Sequence, residues 1–184
     1  MSPENARSNA ELLQALKAGA QAKYLYFWGH RPKSPGAHGP WWFSQWFDAP
    51  FTHEGVVYAT AEHWMMAGKA KLFNDAQALQ AILAAQTPAQ AKKLGRTVRN
   101  FEEAAWRAHC FELVTQGNVH KFSAPERRAI LLNTRTRVLV EAAPNDPVWG
   151  VALDAQDAHR VGPAGWRGEN LLGYALMEAR ARLR

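Results

Sequence analysis

Between Thr60 and Asn133 the chain restarts a helix five times, and this rhythm limits the fold more than any other feature. A short polar side chain ahead of a helix accepts one of the orphan backbone N–H groups of its first turn, which fixes where that helix begins. Thr60 predicts a helix over residues 61–73, Asp75 a second reaching Ala85, and Thr87 with Pro88 a third closed by Gly95. Asn100 with Glu103 resembles a capping box and predicts a fourth helix, ended by Gly117; Ser123 with Glu126 predicts a fifth, running to Asn133. Helices this short are marginal alone and must be held by packing on one another.

The rest of the chain adds little regular structure. Residues 11–24 read as an amphipathic helix, a peripheral extension over residues 1–22 ahead of a domain spanning 23–184. Residues 25–28, 56–58 and 138–141 read as short strands, the second reached through a turn at Glu54-Gly55. Residues 29–41 and 142–169 are rich in breakers and read as loops, 43–51 as irregular, and 171–183 as a last helix. The expected class is mainly α with a few short β-strands (α+β), in a single compact domain.

With 184 residues the chain can bury a core without disulfides or metals, and its one cysteine, Cys110, reads as a buried helical thiol. No apolar run is long enough for a membrane span and the N-terminus lacks a signal-peptide core, so a cytoplasmic protein is expected. The net charge of +6 favours anionic partners, although Arg180, Arg182 and Arg184 supply half of it and suit the dipole of the last helix. Eight tryptophans, mostly in segments rich in Gly and Pro, suit either stacking on rings or plugging a loop-rich core.

The segment from Ala61 to Phe73 carries the chemistry. On a helix at about 100° per residue, with Glu62 at zero, Met65, Met66, Leu72 and Phe73 form an apolar stripe, and Lys69 falls inside it at about 340°. A charge in a buried stripe is costly unless it is paired or faces a cavity. Glu62 and Lys69 are separated by about 10.5 Å along the axis, too far for an ordinary ion pair within a helix. Two readings follow: salt bridges to other elements, or an acid and an amine lining one pocket. In apolar surroundings Glu62 is expected to have a raised pKa and Lys69 a lowered one.

The loops offer further groups. Asp146, in Asn145-Asp146-Pro147, is either a turn residue or a carboxylate beside Trp149. Arg167 offers a phosphate fork, and the N-terminus of the last helix an anion site. Arg96 and Lys121 read either as ordinary surface or as phosphate holders. G-x-G-x-x-G, Walker and G-x-S-x-G motifs are missing and the histidines lack ligand spacing, so neither a metal nor a cofactor is expected.

An ordered set of motifs over about residues 25–183 resembles the NADAR family, the YbiA-like N-glycosidases. It comprises Phe27-Trp28, Phe43-Ser44-Gln45-Trp46, Thr60 to Phe73, Leu94-Gly95-Arg96, Trp106, Lys121-Phe122, Leu131 to Thr134, Leu139-Val140-Glu141, Asn145-Asp146, Trp149-Gly150 and Gly168 to Gly173 with Leu176-Met177 and Arg180. Gln45 stands where many relatives carry Asn. The resemblance implies a metal-free N-glycosidase that breaks the bond between a base and a phosphorylated ribose. Its substrate would be either a ribosylaminopyrimidine phosphate of the early riboflavin pathway or ADP-ribosyl-guanine in nucleic acid. Glu62, Lys69 and Asp146 would be catalytic. Trp46, His63, Met66, Arg96, Lys121, Trp149, Arg167 and Asn170 would bind substrate. The rival readings are a module that binds ADP-ribose or nucleotides without cleaving them, and a nucleic-acid-binding protein.

Overall fold

The computed structural model describes residues 2–32, 34 and 39–184; of the predicted loop over 29–41, residues 33 and 35–38 lie outside the described residues. In chain order the elements are α1 (Asn9–Lys17), β1 (Tyr24–Phe27), β2 (Phe51–His53), β3 (Val56–Tyr58), α2 (Ala61–Leu72), α3 (Ala76–Leu83), α4 (Pro88–Gly95), α5 (Glu103–Lys121), α6 (Pro125–Leu132), β4 (Val138–Glu141), α7 (Ala155–Val161) and α8 (Leu171–Arg182). The fold is mainly α with a few short strands, as its sequence predicts. The chain divides into two compact units, Met1–Ser44 with Phe122–Arg184, and Gln45–Lys121.

In the first unit β1 and β4 pair in parallel, from Tyr24 opposite Val138 to Phe27 opposite Glu141. Val138, Leu139 and Val140 are fully buried, and α8 lies against this strand with Leu172, Tyr174, Ala175, Leu176 and Ala179 in the core. Gly173 permits that approach, because a β-carbon there would collide with the Leu139 carbonyl. The first helix starts and stops earlier than expected. Ser8 caps it by accepting the Glu11 N–H at 3.2 Å, Gly19 ends it at a φ of +92°, and Tyr24 joins β1. It is also docked rather than peripheral: Leu12 and Ala15 are buried, and Asn9 bonds the Gly168 carbonyl and the Tyr174 hydroxyl.

Other expectations change here. The stretch over 142–169 is not all loop, since Asp154 caps α7 through the Asp157 N–H at 2.8 Å. Ala124, with no side-chain cap, takes the position expected of Ser123 before α6. Arg180, in the last turn of α8 as expected, is buried and donates to the Thr134 hydroxyl at 2.7 Å and the Arg137 carbonyl at 2.8 Å. Burial pushes its pKa down to about 10.

In the second unit β2 and β3 form an antiparallel hairpin, turned at Glu54 and Gly55, which both adopt positive φ. Around α2 pack α3, α4 and α5, and every residue from Ala61 to Ala67 is buried. The caps at Thr60, Asp75 and Thr87 form as expected, each accepting an N–H of the first turn of its helix. The box at Asn100 does not form: Asn100 is left-handed at a φ of +55°, and α5 begins at Glu103. Gly117 does not end that helix, which continues to Lys121.

Candidate active site

The first turn of α2 is fixed from two directions. The Thr60 hydroxyl oxygen accepts the His63 N–H at 3.4 Å, and the Gln45 backbone carbonyl accepts the Glu62 N–H at 3.0 Å. Glu62 is 2% exposed, at the helix end where the macrodipole favours a negative charge. Two turns on, Lys69 is half-buried. Its Nζ lies 4.0 Å from the centre of the Phe101 ring and 5.7 Å from that of Trp106. Phe73 braces Phe101 edge-on at 5.3 Å. Among the described residues the Lys69 side chain makes no hydrogen bond or ion pair, so the salt-bridge reading does not hold for it. Burial lowers its pKa below the ordinary lysine value, as its apolar surroundings predict.

The long helix α5 runs antiparallel to α2. Trp64 lies against Gly117 and donates to the Leu113 carbonyl at 2.8 Å, while Gly68 faces Leu113. Moving from 68 to 64 on one helix thus corresponds to moving from 113 to 117 on the other. The same register carries Asn118 and Lys121 to the Glu62 end of the pair. Both are fully buried. Lys121, open between surface and phosphate holder in the sequence, has its Nζ 5.9 Å from the centre of the Phe47 ring. Asn118 donates to the Val114 carbonyl at 2.9 Å.

The other expected binding residues of this unit are distributed around α2. Trp46 is half-buried, with the Lys92 Nζ 5.8 Å from its ring centre. Met66 is buried against Gly95, and Arg96, the C-cap of α4, is exposed. His63 is not placed to bind substrate. Its Nε2 lies 3.1 Å from the Ala85 carbonyl and its Nδ1 2.8 Å from the Thr60 hydroxyl. A carbonyl only accepts, so Nε2 carries the proton and Nδ1 accepts from Thr60, leaving a neutral ring with both nitrogens used. Burial lowers its pKa, and the Ala85 contact opposes this.

In the first unit, the segments around 146–151 and 167–172 are stitched together by backbone bonds. Arg167, Glu169 and Asn170 donate to the Val151, Pro147 and Gly150 carbonyls at 3.1, 2.9 and 3.0 Å. Asp146, Trp149, Arg167 and Asn170 are therefore neighbours along one pair of segments. Asp146 fulfils its turn role, with Oδ1 accepting the Val148 and Trp149 N–H groups at 3.1 and 2.8 Å. Trp149 is half-buried and Arg167 exposed. Asn170, expected to bind substrate, holds β4: Nδ2 donates to the Leu139 carbonyl and Oδ1 accepts the Glu141 N–H, both at 2.9 Å. The expected anion site at the start of α8 is occupied by protein, because the Leu171 and Leu172 N–H groups go to the Val148 and Trp149 carbonyls.

A family model of the NADAR domain matches residues 26–184. The chain belongs to the NADAR domain family. An N-glycosidase of Acanthamoeba polyphaga mimivirus is 41% identical over 164 residues, covering 86% of this chain and 95% of that protein. The N-glycosidase YbiA of Escherichia coli is 31% identical over 142 residues, covering 77% and 80%. The NMR structure of that Escherichia coli protein superposes with a TM-score of 0.69 at 26% identity, covering 89% of this chain and 86% of that one. A chloroplastic riboflavin biosynthesis protein of Zea mays is 31% identical over 135 residues, 69% of this chain but 20% of that protein.

Within this NADAR chain, Asn118 escapes a reading of the sequence, and Phe101 is passed over as loop. The signal for Asn118 was present: Val114, Asn118 and Lys121 follow the spacing of one helix face. Taking Gly117 for a helix stop broke that face. Gly117 is there because a β-carbon would meet the Trp64 ring. Phe101 carries no periodic signal, standing alone before α5.

Proposed function

We propose that this chain is an N-glycosidase that hydrolyses the bond between a nitrogenous base and a phosphorylated ribose. The observation that carries the reading is Glu62, almost fully buried on α2, with Lys69 on the same helical face and, among the described residues, its amine in no ion pair. A module that only reads a nucleotide needs no buried acid and no unpaired, partly desolvated amine. The names of the mimiviral and bacterial relatives support the reaction class.

In the mechanism, Lys69 Nζ adds to C1 of the opened ribose, and Glu62 supplies the proton that the departing nitrogen needs. The C1–base bond breaks, leaving C1 joined to Nζ as an imine. Water then adds to C1, the C1–Nζ bond breaks, and the ribose phosphate leaves as its aldehyde with the amine and carboxyl group restored. Protein side chains supply every group in this sequence, so the proposed reaction is metal-free. On the same unit as Glu62 and Lys69, Trp46 presents its ring to the base, and Lys121 and Arg96 favour the phosphates.

A ribosylaminopyrimidine phosphate is one substrate, supported by the name of the maize relative. ADP-ribosyl-guanine in nucleic acid is the second, supported by the charge of +6. Chromatography after incubation with each decides between them. Release of free aminopyrimidine and ribose phosphate from the first, or of ADP-ribose from the second, supports the reading, and intact substrate in both arms refutes it.

A further inference from the structure

Among the described residues three carboxamides are buried, those of Gln45, Asn118 and Asn170. Asn170 has both ends engaged by β4 and Asn118 has its nitrogen engaged by Val114. Gln45 is different. It is 6% exposed, and among the described residues neither its Oε1 nor its Nε2 has a hydrogen-bond partner. A carboxamide carries two donors and two acceptor sites, and leaving both ends unmatched in a folded interior is destabilising. An apolar side chain of the same length would avoid that cost, so the retained amide needs a partner outside the free protein.

The position of Gln45 says where that partner sits. Its backbone carbonyl accepts the Glu62 N–H at 3.0 Å, so the carboxamide starts next to the residue that protonates the leaving nitrogen. A group within reach of both is the departing base. We infer that Gln45 is a specificity residue that reads the edge of that base, an inference that rests on the N-glycosidase reading for its choice of ligand. A carboxamide matches an edge where a donor and an acceptor stand side by side. Guanine and the aminopyrimidines present such an edge where an exocyclic amine, a donor, stands beside an unprotonated ring nitrogen, an acceptor.

Guanosine and inosine monophosphates share a phosphorylated ribose and differ in that exocyclic amine. Calorimetric titration of the wild-type chain and of Gln45→Met with each nucleotide, alongside their melting without ligand, tests the inference. The wild type is expected to bind the guanine nucleotide about tenfold tighter than the inosine one, and Gln45→Met to lose most of that preference. Without ligand, Gln45→Met is expected to melt about 2–4 °C higher, since its core no longer holds an unmatched amide. A lower melting point would make the amide structural and overturn the inference. So would failure of the wild type to bind or to distinguish the nucleotides, or an unchanged preference in the variant. Cleavage of the substrates above is scored separately, so an inactive chain that still discriminates through Gln45 would refute the hydrolase and keep the reader of bases.

Discussion

Lys69 shows how one residue is held between opposing influences. Burial favours the neutral amine, whereas the face of Phe101 at 4.0 Å favours the ammonium. The lowered pKa keeps part of the population neutral at a pH where an exposed lysine would be protonated. The rate is therefore predicted to rise with pH through a midpoint below the ordinary lysine value. Borohydride added during turnover should trap one ribose phosphate on the wild-type chain and none on Lys69→Arg, as read by intact mass. No adduct on the wild type would remove the imine route. The partial exposure of the Phe101 ring, 44%, keeps this corner open to a substrate.

At the scale of elements, α2 and α5 set the register of the candidate site, and the Trp64–Gly117 contact sets the register of the pair. Gly117→Ala tests it. Alanine gains about 1 kcal/mol in helix propensity, but overpacking against a fixed ring costs about 1–3 kcal/mol. Trp64 is fixed by its bond to the Leu113 carbonyl, so the clash should win, and the variant should melt lower by a few degrees. A higher melting point would mean that the ring moves aside.

The legibility of the elements follows the same physics. The caps at Thr60, Asp75 and Thr87 were readable because a short polar side chain next to a periodic run acts locally. The end of α5, the start of α6 and the whole of α7 were not, because tertiary contacts or a single aspartate decided them. Glu62 and Lys69 were legible as charges in an apolar stripe. The fates of Asn170 and His63 were not, since both depend on partners distant in sequence.

For the molecule as a whole, one buried and one half-buried histidine link stability to pH. His63 and His120 both have pKa values lowered first by burial, with the ring of His53 adding to the effect at His120. The unfolded chain therefore takes up protons at a higher pH than the folded one. Stability is full above the ordinary histidine value and is lost as pH falls through the folded values. The melting point is predicted to decline from pH 7 to pH 5, with a shallower decline in His63→Gln, as followed by calorimetry. A flat profile would mean that these rings take up protons in place.

The account depends most on Glu62. Single-turnover cleavage of the better of the two substrates, compared between the wild type and Glu62→Gln, tests it directly. The substitution keeps the shape of the side chain and removes its proton chemistry, so the melting point should hold while the rate falls by about 100-fold to 10,000-fold. A Glu62→Gln chain that cleaves that substrate at the wild-type rate would contradict the account.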